Sequence, residues 1–448
     1  MSFDINASPT KGFFVDMITR DIPLDRAILD LIDNSIDGAH RLIVGDNFEG
    51  LFVKITLSKD LFIIEDNCGG IPIDIAMNQA FRFGKPKDYN APDHSIGRFG
   101  IGMKRAIFKI GKEIKVNSVH ENSTFSLDLN VENWLENEEW DFNFTSKQKD
   151  MNNNISDCYT KIVVENLYNN ISEELEEHYF LEELKKQISL AHSLIIQKGF
   201  EILINSEKVE RKKFTIKYGE NLKPLVVTIP FKTKDDEEVS IKIIAGLDNR
   251  DLNKGGWYIF CNNRLILDAD KTEITGWNTQ LEEDREDKVN KYHADFAYFR
   301  GYVIFDSKDA GLLPWTTTKT GLNADSEVYK AAYFEMRKVL KLILIFLSAR
   351  NKQHTKFKKE EIDSSPLTSL IEEETNVVEF YEITEDGKFY VNAPEPKIVD
   401  KEPEPEGGTI TYWKPKEELD LLKKYLKVST NKDVGIATFD YYFTLISE

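Results

Sequence analysis

Asp30-Leu31-Ile32-Asp33-Asn34-Ser35-Ile36-Asp37 is the stretch on which the fold turns. Ala27, Ile28, Leu31, Ile32 and Ile36 recur through it at helical spacing, with Gly38 near the end, which predicts a helix over residues 24–41. Asp30 and Asn34 then share one helix face, about 5–6 Å apart. A carboxylate so placed can orient or deprotonate a water, while the amide oxygen ligates a hard Mg²⁺ that also touches phosphates. Taken alone, the pair reads first as a solvated helix face.

Two further segments lie downstream. Short β runs at residues 51–57 and 61–64, separated by Ser58-Lys59-Asp60, predict a hairpin. Glu65-Asp66-Asn67-Cys68-Gly69-Gly70-Ile71-Pro72 follows directly. An acid at a strand end can accept from the exocyclic amine of a planar heterocycle, and the glycines let backbone approach the ring. The ordinary alternative is a tight turn. Gly97-Arg98-Phe99-Gly100-Ile101-Gly102-Met103-Lys104 then opens a helix predicted over residues 103–110. Backbone N–H groups at such a glycine-rich helix start make a phosphate site. It lacks the GK[ST] ending of a Walker A loop and the preceding strand of a dinucleotide fingerprint.

In this order and spacing, the three segments resemble the nucleotide-binding motifs of the GHKL ATPases: gyrase B, the heat-shock chaperone, histidine kinases and MutL. Tyr159-Thr160-Lys161-Ile162-Val163-Val164-Glu165 resembles their Gly-Thr strand, whose Thr supports the adenine-binding Asp. The resemblance implies that Asp66 reads adenine with Thr160 and Gly70 beside it, and that Asn34 holds Mg²⁺. Gly97, Arg98, Phe99, Gly100, Ile101, Gly102 and Lys104 would contact the phosphates of ATP at the end of a lid over residues 83–102. Asp30 takes the general-base position, where most ATPase members carry Glu; being one methylene shorter, it implies slow hydrolysis. Cys68 and Tyr159 both stand where glycine is usual. Cys68 is read as a small apolar pocket group, or else as redox-sensitive.

GRFGIGMKRAIFKIGKE is most similar to the prokaryotic MORC-like pattern, with Lys104 two residues after the last glycine. Gly256-Trp257-Tyr258-Ile259-Phe260-Cys261-Asn262-Asn263-Arg264-Leu265-Ile266 resembles a transducer-domain strand. Leu313-Pro314-Trp315-Thr316-Thr317-Thr318-Lys319-Thr320 resembles the loop that sends one Lys, here Lys319, to the γ-phosphate. A solvated loop lysine is the plain alternative. The expected fold class is α+β: a Bergerat-type α/β sandwich ATPase domain (1–213), then a ribosomal-protein-like β-α-β transducer domain (214–350). An acidic linker (351–408) and a small C-terminal helical element (409–448) complete the expectation. Residues 173–198 read as one long helix, and a further helix as ending near residue 348.

By the same resemblance, the chain is a Mg²⁺-dependent ATPase and an ATP-gated homodimeric clamp, with DNA as client and genome defence as setting. A chaperone-like clamp on protein, or a nucleotide-dependent interaction module with negligible hydrolysis, stands as the alternative. The C-terminal segment could dock a protein partner or pack on its own transducer.

The chain has 448 residues, 58 Lys+Arg against 77 Asp+Glu and a net charge of −19, which argues against an all-over nucleic-acid binder. Lys85, Lys87, Arg98, Lys104, Arg105, Lys109, Lys112 and Lys115 nonetheless gather near the lid, where they could neutralise triphosphate or face nucleic acid. Hydrophobic residues at 41% exclude a wholly disordered chain. Three scattered cysteines suggest neither a disulfide framework nor a CxxC metal site. The opening MSFDINASPTKGFF lacks the pattern of a signal peptide, and the apolar run at 340–347 falls far short of the roughly 20 residues of a membrane span. A soluble cytoplasmic protein is expected. Histidine kinase activity is disfavoured, because no His precedes His40.

Overall fold

A computed structural model describes residues 9–84, 93–97, 100–233, 236–280, 288–399 and 407–447. Helices α1 (Lys11–Arg20) and α2 (Leu24–Leu42) open the chain. In α2, Asp25 in the first turn and His40 and Arg41 in the last complement the helix dipole. Its apolar stripe, Ala27, Ile28, Leu31, Ile32 and Ile36, is wholly buried.

The hairpin forms as β1 (Phe52–Leu57) and β2 (Leu61–Asp66). Val53, Ile55 and Leu57 alternate inward from β1, and Phe62, Ile64 and Asp66 from β2. The two-residue period of a strand thus places the carboxylate of Asp66 on the core face, among apolar neighbours. Helix α3 (Gly102–Ile110) packs on both α1 and α2. Strands β3 (Gly111–His120), β4 (Ser123–Asn130), β5 (Phe144–Lys149) and β6 (Tyr159–Leu167) follow.

The stretch read as one long helix is three: α4 (Asn169–Glu176), α5 (His178–Ala191) and α6 (Ser193–Gln197). Glu177 is extended, and His192 leaves the helix with φ −111° and ψ 16°. The second break turns the buried His192 side chain toward Asp33 of α2, a tertiary demand that helical periodicity does not record. Strands β7 (Glu201–Ile204) and β8 (Glu207–Lys208) complete an eight-stranded sheet in the order β5-β4-β3-β6-β2-β1-β7-β8. Only the β1–β7 pairing is parallel among its pairings. Asp66 stands opposite Thr160 in the β2–β6 register.

After β9 (Thr215–Tyr218) and β10 (Leu222–Lys223) comes a second, five-stranded sheet. It contains β11 (Leu225–Lys232), β12 (Glu238–Leu247), β13 (Gly256–Cys261), β14 (Arg264–Asp270) and β15 (Phe299–Asp306), in the order β11-β12-β15-β13-β14. All six residues of β13 are buried, as in a strand covered on both faces. Strand β14 starts on buried Arg264, Leu265 and Ile266 and carries Asp268 and Asp270 in its less buried second half. Asn262 and Asn263, both with positive φ, form the two-residue turn into β14. The β14–β15 connection carries 3₁₀ turns among its described residues.

Helix α7 (Glu327–Lys358) packs on β11 and β12 and runs ten residues beyond the expected end at 348. Its last turns carry Arg350, Lys352, Lys356 and Lys358, good helix formers.

The first part of the expected acidic linker is also structured. Helix α8 (Pro366–Glu372) is followed by β16 (Asn376–Glu379), which pairs with β9, and β17 (Tyr390–Val391), which pairs with β10. Phe380 is fully buried and stacks on Tyr302 at 4.3 Å between centroids. Short apolar runs among the acids, with Leu370, Ile371 and Phe380 buried, anchor the stretch, and average composition hides them. Residues 400–406 of that expected linker lie outside the described residues.

Residues 1–397 and 398–448 are separate compact units. The second holds helices α9 (Lys416–Leu426) and α10 (Asn431–Ser447), joined through Lys427 in the left-handed conformation. No helix among the described residues is long and apolar enough to cross a membrane.

Candidate functional site

A cavity opens between α2, the β2 end, the start of α3 and the 313–323 loop that follows the second sheet. It has about 160 Å³ of room for the centres of water-sized molecules, within roughly 1220 Å³ of space that includes open solvent. Asp30, Asn34, Asp66, Gly97, Gly100, Ile101, Gly102, Lys104, Thr160 and Lys319 all line it, so nearly every residue singled out in the sequence converges here. Gly70 does not line it. Its φ is +68°, and a Cβ there would stand 2.1 Å from the Val119 carbonyl oxygen, so this glycine serves backbone packing against β3. Arg98, Phe99, Lys85 and Lys87 lie outside the described residues, as does much of the expected lid.

Asp66 is held from two sides: Ser35 Oγ donates to Oδ2 at 2.7 Å and the Cys68 N–H donates to Oδ1 at 2.9 Å. Burial raises its pKa, while these donors pull it back. Cys68 is buried at the cavity wall, and burial pushes its thiol well up, which favours the small apolar reading over a reactive thiolate. Ser35 was not recognised from sequence; its place beside Asn34 in α2 is a signal only once β2 is known to pack there.

Asn34 presents an amide nitrogen that is buried and has no hydrogen-bond partner among the described residues. Among the described residues, no partner of this nitrogen fixes which end of the amide faces the cavity. One turn on, Asp37 accepts from the Ile96 N–H at 2.6 Å and the Gly97 N–H at 2.8 Å. A Cβ on Gly97 would lie 2.7 Å from the Asp37 carboxylate. Asp37 thus seats the distal end of the glycine-rich segment, and its spacing of seven from Asp30 was the sequence signal for it. Lys104 is buried and donates to the Ala80 carbonyl oxygen at 2.8 Å.

Asp30 is buried too, and both its oxygens are engaged. Oδ2 accepts from Arg105 Nε at 2.7 Å and also from Arg105 Nη2; Oδ1 lies 3.3 Å from Lys319 Nζ. A Cβ on Gly102 would stand 3.4 Å from this carboxylate, so the start of α3 runs close to it. Lys319 Nζ also donates to Asp33 Oδ2 at 2.6 Å. The other oxygen of Asp33 has Arg264 Nη1 at 3.1 Å, an ionic contact without hydrogen-bond alignment, and His192 Nε2 at 3.6 Å. Burial, then Arg264 and Lys319, drive His192 well below its usual pKa, so its imidazole is neutral. Lys319 has φ +55° in a turn closed by its N–H to the Thr316 carbonyl, and this conformation aims the side chain inward. Asp33, Arg264 and His192 had no assigned role in the sequence, and Arg105 was read only with the basic group near the lid, for triphosphate or nucleic acid. Only the fold brings them together.

The remaining basic residues disperse: Lys112 pairs with Glu132 and Lys115 with Glu165, both at 2.7 Å, and Lys109 donates to the Thr19 carbonyl. They do not form one strip with the cavity cations.

The glycine-rich segment is also strapped to the second sheet. Asn262 Nδ2 donates to the Ser95 and Ser307 carbonyls, both at 3.0 Å, and His94 Nδ1 lies 3.1 Å from Asp306. The hydrogen bond to Asp306 raises the His94 pKa despite partial burial, with Asp93 adding and Lys308 subtracting. A folded-state pKa above the unfolded value of about 6.5 means a stabilisation fully present below pH 6.5. It is lost as pH rises through the raised value. Hydrogen exchange at residues 93–97 should therefore quicken from pH 6 to 8.5, after correction for intrinsic exchange. In His94→Gln that excess should vanish; an unchanged excess would show that the imidazole does not hold the strap.

Residues 22–160 match the family model described as Histidine kinase-, DNA gyrase B-, and HSP90-like ATPase. The match runs from before α2 into β6 and so takes in Asp30, Asn34, Asp66, the glycine-rich segment and Thr160. The match likens these residues to a GHKL-type ATPase domain, and ATP binding is the activity that such a domain supports. No curated protein matches the chain.

Proposed function

We propose that the chain is an ATP-gated dimeric clamp of the MORC-like kind, hydrolysing ATP slowly with Mg²⁺ in the cytoplasm and closing on DNA, in the setting of genome defence. The observation that carries this reading is Lys319. It comes from outside the matched ATPase segment, yet its ammonium lies 3.3 Å from Asp30 and 2.6 Å from Asp33, at the wall of the cavity. A γ-phosphate there would attract the same ammonium, so domain arrangement would follow nucleotide state.

In this proposal Asp66 accepts from the adenine amine, Thr160 lies beside it, and Gly97, Gly100, Ile101, Gly102 and Lys104 meet the phosphates. The side-chain oxygen of Asn34, a residue of the cavity wall, would suit a Mg²⁺ that keeps several waters and takes few protein ligands. Mg²⁺, when bound, would neutralise phosphate charge and orient the triphosphate. Asp30 orients a water whose oxygen bonds to the γ-phosphorus as the bond to the β–γ bridging oxygen breaks. ADP leaves with that electron pair, and the water's proton passes through Asp30. A short carboxylate already engaged by Arg105 supports slow turnover.

The client is tested with closed circular DNA. With a non-hydrolysable ATP analogue, the clamp is expected to remain on the circle through a high-salt wash and to fall off once the circle is cut. No binding at low ionic strength, where phosphate contacts are strongest, would remove DNA as client and leave a clamp on protein.

A further inference from the structure

The charges around Lys319 do not balance. Among the described residues in direct contact, two carboxylates, Asp30 and Asp33, face three cations, Arg105, Arg264 and Lys319, while His192 is neutral. Each arginine has its own acid: Arg105 holds Asp30 and Arg264 flanks Asp33. Lys319 alone is shared, bridging Asp30 Oδ1 and Asp33 Oδ2. Asp37, the next acid on α2, is taken up by two backbone N–H groups. Lys319 is the one cation of the three that lines the cavity from a loop, and its departure leaves Asp30 on Arg105 while Asp33 gives up its hydrogen bond and keeps only the ionic contact of Arg264.

We infer that Asp33 is a positioning residue that acts through Lys319: it seats the lysine at rest, and a γ-phosphate must draw it away. Withdrawal has a second effect. Asp30 Oδ1 loses its cation at that moment, while Oδ2 stays on Arg105, so one oxygen becomes available to a water only when a third phosphate is present. Asp33 itself touches neither water nor nucleotide. It is fully buried on the far side of the lysine, with Arg264 and His192 behind it. A diphosphate offers Lys319 no group at the γ position and leaves it seated. Asp33 therefore sets how strongly the site distinguishes triphosphate from diphosphate, because the affinity for triphosphate is reduced by whatever holds the lysine at rest.

This inference rests on the ATP-site reading, and the experiment separates the two. Dissociation constants for AMP-PNP and ADP are measured by calorimetry on the full chain, with Mg²⁺, for wild type, Asp33→Asn, Lys319→Met and the double variant. Asp33→Asn keeps the shape and an acceptor but weakens the seat. It is expected to favour AMP-PNP over ADP by roughly 10-fold more than wild type, with ADP affinity unchanged. In the Lys319→Met background the same substitution should leave the ratio alone. A ratio unmoved by Asp33→Asn, or moved equally with and without Lys319, overturns the inference. A wild type that binds neither nucleotide overturns the ATP-site reading instead. Should Asp33→Asn fail to fold, Asp33→Glu keeps the charge and displaces it by one methylene. The ratio must then shift in the same direction by a smaller factor, and an unchanged ratio overturns the inference.

Discussion

Asp66→Asn is expected to weaken ATP binding by about 100-fold or more while the domain stays folded. The carboxylate now accepts from Ser35 on one oxygen and from the Cys68 N–H on the other, and Asp66 lines the cavity. In asparagine the single carbonyl must serve the Cys68 N–H, because a backbone donor cannot turn. The amide nitrogen then faces Ser35, whose hydroxyl can rotate to accept, and the cavity, where it meets the adenine amine as donor against donor. A charge-assisted hydrogen bond to a buried acid contributes about 1.5–3 kcal/mol, and replacing it with a repulsive contact brings the loss to two decades or more. Titration calorimetry measures the affinity, and thermal unfolding checks that the fold survives. Wild-type affinity in this variant would mean that adenine is read elsewhere.

Asp30→Asn is expected to bind ATP and to turn it over 10²–10⁴-fold more slowly, roughly the span of a lost general acid–base group. Alanine would be a poorer test. It would leave Arg105 buried without an acid and take from Lys319 one of its two, and stripping one member from a buried ion pair costs about 3–5 kcal/mol. The asparagine carbonyl can still accept from Arg105, and Lys319 keeps Asp33. Single-turnover measurement with saturating ATP isolates the chemical step from binding. Turnover at the wild-type rate would exclude Asp30 from handling the water and return the chain to a nucleotide-dependent interaction module.

The two variants differ in how far their rationale could be drawn from the chain alone. Asp66, Asn34 and the glycines of 97–102 announce themselves by type and spacing, and the ATPase domain match covers all of them. Their elements are equally plain: α2 declares itself by an apolar stripe of period near 3.6, the β1–β2 hairpin by alternation of period 2. Such patterns survive in sequence because they record which face of one element is buried. The break at His192 has no such record, since helical periodicity continues through it and only the pocket around Asp33 asks for the turn. The acidic stretch after α7 likewise hides its anchors, because Leu370, Ile371 and Phe380 lie in short apolar runs within a charged average.

Lys319 marks the division most clearly. Its residue type and its loop were legible, and so was the direction of its expected reach. Its partners were not. Asp30 and Lys319 stand 289 positions apart, and no period or motif relates residues at that distance. The order of the motifs was enough to define an ATP-binding fold, because each motif is a local response to burial or to a tight backbone path. The charge count of the site, with two carboxylates, an arginine beside each and one shared lysine, exists only after two sheets have packed. Electrostatic energy depends on separation in space and on the exclusion of water, and the linear chain specifies neither at the site until it has folded.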